Sequence, residues 1–416
     1  MQGIKLLRSA QTTYMERLKI KNFGPITDLD IDLKRINVFI GEQGVGKSTI
    51  AKLISCLRDI FLCAIILEDG NTEKALTLFK TFGIHEYFRP DSYIEYHSLE
   101  NYAIRYSDSE FSITHSSLSS SEFKDAAIKA CVLTIQKTLK VLGYTKEQPL
   151  KDALDKYSDL IATNLRTSLY CPAERGIVGA LSPALANIML NRIPLPECLL
   201  EYMSIFEKAR NHYGNYSIPF LNLEYSYSDG EDKVIMQGQE KPLALKYCSS
   251  GIQAVLPMLM SIDYCLTQRF FSSYTIEELE LNLFPTNQRE LLNYLISKTN
   301  IKDDNGINNL VLTTHSPYLL AIMNVAILAG KIIDKFPEAK SAVNNIIPES
   351  AYIKPEDIAV FSLQRPKDEN SPYCSSVIDN ETGMIQGNFL DSVSNFISSD
   401  FSRLHQLYLS ELRKNK

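Results

Sequence analysis

The chain has 416 residues, of which 45% are hydrophobic, 22% charged and 10% aromatic, and its formal net charge is −6. That mix excludes a wholly disordered chain, and the length allows a large core without disulfide or metal staples. Mild acidity excludes nucleic-acid binding through bulk charge alone. The longest apolar stretches, Phe61–Leu67 and Leu319–Gly330, fall short of the ~18–20 residues needed to cross a bilayer.

Residues 1–14 (MQGIKLLRSAQTTY) read as an N-terminal extension without the apolar centre of a secretory leader, so a cytoplasmic location is expected. Arg17–Asn22 and Leu29–Leu33 alternate polar and apolar residues, as strands do, around a turn at Phe23–Ile26. Ile36–Ile40 (INVFI) is a short β-branched run typical of a buried strand. It enters a loop with glycines at Gly41, Gly44 and Gly46. Beyond them Ser48–Leu57 carries Ile50, Leu53, Ile54 and Leu57 at helical spacing.

Residues 92–114 read as short strands with polar turns. Ser121–Leu142 and Pro149–Leu165 read as helices, and their lysines are interleaved with acids as on a solvated face. Ser168–Cys171 predicts a strand leading into the segment Tyr170–Gly176 (YCPAERG), with helices following through Leu181–Asn211. Asp229-Gly230 marks a hairpin turn. A helix over Gly251–Leu266, strands near Ser272–Ile276 and Leu310–Thr314, and a last helix over Leu390–Leu412 complete the pattern. The eight cysteines form no C-x-x-C pair and do not cluster with the six histidines, as expected of reduced core thiols.

Four motifs carry chemistry. Gly41-Glu42-Gln43-Gly44-Val45-Gly46-Lys47-Ser48 matches G-x-x-x-x-G-K-[ST] in full, and Thr49 follows. A loop whose amides converge on a phosphate needs glycines, because side chains obstruct the turn. The helix after it presents its positive N-terminus to the same anion. Lys47 is placed for the β- and γ-phosphates of ATP, Ser48 for Mg²⁺ and Thr49 for the α-phosphate. Gln43 and Val45 line the same loop. Glu277-Glu278 follow the predicted strand Ser272–Ile276, with Glu277 expected on the metal side and Glu278 as general base. Glu280 nearby leaves open an exposed acidic loop. His315 stands at the tip of the strand ending Thr313-Thr314, where a neutral imidazole can donate to a γ-phosphate or to the attacking water. Ser249-Ser250-Gly251-Ile252-Gln253 opens the predicted helix, and serves equally as an N-cap or an anion seat.

These motifs, in this order, resemble the ABC-type ATPase heads of the SMC/RecF/OLD group. The opening RLKIKNFGPI is similar to the first strands of such heads. By that resemblance Gly41–Ser48 is Walker A, Ser250-Gly251-Ile252-Gln253 the signature, Glu277-Glu278 Walker B with the catalytic glutamate, and His315 the switch histidine. Tyr170–Gly176 takes the Q-loop position, with Glu174 where a glutamine is usual. Leu279 stands where the group usually has proline, a change expected to loosen the loop. The implied fold is α/β: an ABC-ATPase head with a P-loop parallel core sheet, an antiparallel β subdomain and a helical insertion. The corresponding divisions are an extension at 1–14, an N-terminal lobe at 15–115, the insertion at 116–220, and a C-terminal lobe at 221–416.

The resemblance also implies a homodimer, or a higher even-numbered oligomer, with ATP and Mg²⁺ held between Walker A of one copy and Ser250, Gly251 and Gln253 of the other. Only 101 residues follow His315, too few for an added Toprim nuclease domain together with the end of the head. A separate effector, a nuclease or toxin, is therefore expected, as in ATPase subunits of bacterial anti-phage systems such as Septu and PARIS. The alternative is a RecF-like DNA-binding clamp, so nucleic acid remains a possible partner; a membrane partner is not expected.

Overall fold

The computed structural model describes residues 15–69, 72–99, 101–119, 121–125, 168–181, 187, 190–191, 194–268, 273–301, 308–366, 368, 371–386 and 399–406. The expected extension at 1–14, most of the helices expected over Ser121–Leu142 and Pro149–Leu165, and much of Leu390–Leu412 lie outside them.

Among the described residues three sheets organise the fold. β1 (Glu16–Phe23), β2 (Ile26–Leu33), β4 (Tyr93–His97), β5 (Tyr102–Ser107) and β6 (Glu110–His115) form an antiparallel sheet in the order β2-β1-β4-β5-β6. The core sheet runs β15-β14-β3-β13-β12-β7, built from β3 (Ile36–Gly41), β7 (Ser168–Cys171), β12 (Ser273–Ile276), β13 (Asn309–Thr314), β14 (Ile358–Leu363) and β15 (Cys374–Ser376). Every pairing from β14 to β7 is parallel, and only β15 is antiparallel. β8 (Asn215–Ile218), β9 (Leu223–Ser228), β10 (Glu231–Met236) and β11 (Leu243–Ala244) make a small antiparallel sheet. Its β9–β10 turn is the expected one, with Asp229 and Gly230 both at positive φ (57° and 76°), as a type I′ hairpin requires.

The core sheet is buried on both faces, which is why its strands read as continuous apolar runs. Ile36, Val38, Ile40, Tyr274, Ile276, Leu310, Leu312 and Val360 point into one core, and Phe39, Tyr170, Val311, Phe361 and Leu363 into the other. The second core holds helix α1 (Lys47–Leu57), with Ile50, Leu53, Ile54 and Leu57 buried, between the core sheet and the inner face of the β1–β6 sheet. A buried ion pair fixes the far end of α1. Arg58 Nε and Nη2 each lie 2.8 Å from Glu16 of β1, while Nη1 donates to Ser273 of β12 at 3.2 Å. Removing one member of such a pair leaves a buried charge and costs about 3–5 kcal/mol.

The first core collects α4 (Glu197–Tyr213), α5 (Ser250–Gln268), α6 (Pro285–Thr299) and α7 (Pro317–Lys335), after α2 (Ile60–Asp69) and α3 (Thr72–Thr81) earlier in the chain. By length and composition α7 is apolar enough to span a membrane. Here it buries Leu319, Leu320, Met323, Ala326 and Ile327 in the first core. Asn324 exchanges hydrogen bonds of 2.9 and 2.8 Å with the backbone of Ile385, and an alanine Cβ at Gly330 would meet the Ile353 carbonyl oxygen at 2.3 Å. The helix is a core element.

The expected boundary at 116 falls just after β6, and that at 220 falls between β8 and β9. β7, inside the expected insertion, is the edge strand of the core sheet next to β12, and β8 pairs with β9. Both segments have apolar faces to bury, and the sheets supply the partners.

Candidate functional site

Five parallel strands deliver their C-terminal ends to one edge, where ligands bind in open α/β sheets. Their registers align there: Thr314 pairs with Ile40, Leu363 with Gly41, Ile276 with Leu312 and Cys171 with Ile276. The loops leaving these strands carry the predicted residues.

The loop after β3 is shaped by glycines. Gly41, Gly44 and Gly46 have φ of 146°, 73° and 103°, conformations that side chains oppose. Space is as restrictive. A Cβ on Gly41 would lie 2.3 Å from the Leu363 carbonyl oxygen, and one on Gly46 would lie 2.7 Å from the Tyr373 hydroxyl. That hydroxyl donates to the Val45 carbonyl, so Val45 is held from below. Gln43, Gly44 and Ser48 face solvent, whereas Val45, Lys47 and Thr49 are buried. Lys47 Nζ donates to the carbonyls of Gly41 (3.0 Å) and Glu42 (2.6 Å). Burial holds the Lys47 ammonium below its ordinary value, against the opposing charges of Glu278, Glu280 and Glu277.

Those acids leave β12 in a tied turn. The Glu277 amide donates to Cys171 O at 3.0 Å and the Glu278 amide to Thr313 Oγ1 at 3.0 Å. Glu278 sits at φ 44°, a left-handed conformation that costs a non-glycine residue roughly 1–2 kcal/mol. Leu279 is fully buried, and its amide donates to Thr313 O at 3.4 Å. A proline has no N–H to make that bond. The leucine thus fastens the turn, where loosening was expected. Glu277 is buried, and its Oε1 has no hydrogen-bond partner among the described residues.

His315 follows β13 at the same edge, half-buried. Its amide donates to Glu280 Oε1 at 2.5 Å. Burial, with Lys47 nearby, lowers the imidazole below its ordinary 6.5, while Glu280 and Glu278 act the other way. Ser316 then caps α7, accepting from the Leu319 amide at 3.4 Å and donating to Gln288 Oε1 at 2.7 Å. Lys47, Glu277, Glu278 and His315 therefore share one electrostatic neighbourhood.

Ser250, Gly251 and Gln253 lie in the first turn of α5. Ser250 begins α5 and is exposed; Gln253 Nε2 donates to the carbonyls of Cys248 (2.7 Å) and Lys246 (3.2 Å), closing the preceding turn. Gly251 packs against the turn after the acids: its Cβ would lie 2.6 Å from Asn282 O. Tyr247 and Phe284 beside this corner are 73% and 70% exposed.

Sequence reasoning missed three contributors. Glu280 is part of the cluster through His315, although the possibility of an exposed loop had been left open. Arg175 is fully buried, with Nη2 donating to Glu278 O at 2.7 Å, whereas its neighbour Glu174 is exposed. Thr313 holds the Glu278 amide. Three acids in four residues, and an arginine just past a strand end, were the available signals.

A family model described as an AAA ATPase domain matches residues 14–176 and 150–320. No curated protein matches the chain. Among solved structures, an SMC head bound to the C-terminal winged-helix domain of ScpA is 10% identical, with TM-score 0.39, covering 89% of this chain and all of its own. The SMC head domain of Thermotoga maritima is 14% identical, with TM-score 0.35, covering 74% of this chain and 91% of its own. An SMC head with an extended coiled coil, bound to a ScpA C-terminal domain from Pyrococcus furiosus, is 13% identical, with TM-score 0.37 over the same shares. Scores this low carry nothing to this chain beyond the likeness itself.

Proposed function

The chain belongs to the AAA ATPase domain family and is an ATPase, and we propose that it is a nucleotide-switched subunit whose copies pair around ATP to control a separate effector. The observation that carries this reading is the convergence of Lys47, Glu277, Glu278, Glu280 and His315 at one sheet edge. In this reading the Gly41–Thr49 loop holds the phosphates of ATP through its amides and the start of α1. Lys47 exchanges its loop carbonyls for the β- and γ-phosphates. Glu278 accepts the proton of the attacking water, and a neutral His315 donates a hydrogen bond to the γ-phosphate.

Ser48 and Glu277 are the residues that would hold Mg²⁺. The fit rests on Glu277 Oε1, a buried carboxylate oxygen without a hydrogen-bond partner among the described residues, and on the solvent-facing hydroxyl of Ser48. When bound, the ion offsets the charge on the β- and γ-phosphates.

The pairing is supported by the exposed start of α5 at Ser250 and by the exposed Tyr247 and Phe284. A helix N-terminus at an exposed corner can complete a phosphate cage on a second copy. Hydrolysis would remove the shared contacts and release the pair. In this reading the effector is a nuclease or toxin of bacterial anti-phage defence, by resemblance to SMC/RecF/OLD heads.

The test is Glu278→Gln. The variant should bind ATP, turn it over at least about 100-fold more slowly and sediment as a dimer only with ATP. Normal turnover removes Glu278 as the base, and a monomer at saturating ATP removes the pairing.

A further inference from the structure

The guanidinium of Arg175 is fully buried, yet its hydrogen-bond partners are main-chain carbonyls: Pro172 at 3.1 Å, Glu277, and Glu278 at 2.7 Å. Its Nε has no hydrogen-bond partner among the described residues. A buried cation without a hydrogen-bonded carboxylate is expensive, and an apolar side chain of similar volume would serve packing better. What the arginine provides is geometry. A planar fork can hold two successive carbonyls, and these belong to the two acids of the site.

Glu278 needs such support. At φ 44° it occupies a conformation that persists only where its surroundings fix it. Its amide is held by Thr313 Oγ1 at 3.0 Å. Its carbonyl is held by Arg175. Both peptide units flanking the Glu278 side chain are thus fixed from outside, one by β13 and one by the turn Ala173–Ile177 that follows β7.

We propose that Arg175 is the positioning residue that aims the Glu278 carboxylate, so that ATP hydrolysis depends on the Ala173–Ile177 turn while ATP binding does not. This rests on Glu278 acting as the base. The dependence reaches across 103 residues of sequence, through the parallel pairing of β7 with β12.

The test compares Arg175→Gln, Arg175→Lys, Glu278→Gln and the double variant Arg175→Gln/Glu278→Gln, each with ATP affinity measured by calorimetry and turnover by phosphate release. Arg175→Gln should lower kcat about 10- to 100-fold and leave the Kd for ATP within about threefold. Arg175→Lys keeps the buried charge but reaches fewer carbonyls, so it should fold and show the same split at smaller size. In the Glu278→Gln background, Arg175→Gln should cause no further loss, because the group it aims is already gone. Parental kcat in both arginine variants overturns the proposal. So does loss of ATP affinity in proportion to kcat, which marks a structural role, or an undiminished effect in the double variant. Glu278→Gln alone reads the base assignment separately: if it turns over ATP normally, the reading of Glu278 fails whatever the arginine variants do.

Discussion

Replacing Gly251 with alanine sets two physical effects against each other. Gly251 is the second residue of α5, and in a helix alanine is favoured over glycine by up to about 1 kcal/mol. The structure opposes this gain, because the new Cβ would stand 2.6 Å from the carbonyl oxygen of Asn282. Ordinary carbon–oxygen contacts lie near 3.3–3.6 Å, so the helix start and the turn must part by roughly 0.8 Å. The obstacle is backbone held at φ 57°, which cannot swing aside like a side chain. Overpacking of this kind costs about 1–3 kcal/mol. The net expectation is a loss of up to about 2 kcal/mol, read as a lower urea midpoint. The separation also moves Ser250 against the turn that follows Glu278, and displacements near 1 Å can cost about 100-fold in rate. ATP hydrolysis should therefore fall tenfold or more, while binding at Gly41–Thr49 stays unchanged. A Gly251→Ala protein more stable than the parent and fully active would refute the reasoning.

Other perturbations address the rest of the site. Lys47→Ala should abolish ATP binding measured by calorimetry, and micromolar affinity in that variant would contradict the phosphate role of the loop. Ser250→Arg adds bulk and charge at an exposed helix start; it should leave the urea midpoint unchanged and prevent ATP-dependent dimers in sedimentation. A dimer that still forms counts against pairing through this corner. For His315, the folded imidazole is held below its unfolded value of 6.5. The unfolded chain then binds the proton more readily, so the stability linked to this group is complete above pH 6.5 and declines as pH falls toward the lowered value. Urea midpoints from pH 5 to 8 should slope less in His315→Gln than in the parent, and equal slopes would remove the linkage.

The parts of the molecule legible in the sequence are those that local physics decides. The order β3, glycine loop, α1 could be read because a β-branched run, three glycines and helical spacing follow within about twenty residues, and positive φ demands glycine there. The Asp229-Gly230 hairpin was legible for the same reason. Glu277 and His315 could be placed at strand ends because buried parallel strands are short and apolar. Arg175 could not be placed. Its task is defined by carbonyls more than 100 residues away, brought near by a pairing that no spacing announces. Glu280 was ambiguous because an acid in a loop looks the same whether it faces water or a backbone amide. Leu279 was read backwards, since the bond its N–H makes to Thr313 appears only when β12 and β13 lie side by side. The expected division at 220 falls between β8 and its partner strand β9, a pairing that a strand of four residues does not announce.

The floor beneath the glycine loop has a consequence for how the chain matures. Leu363 sets the clearance at Gly41, and the Tyr373 hydroxyl holds Val45, although both residues arrive more than 300 positions after the loop they support. A growing polypeptide that has exposed only its first lobe thus possesses the motif without its foundation. The shape of the loop therefore depends on the last parallel strand and on the segment that follows it.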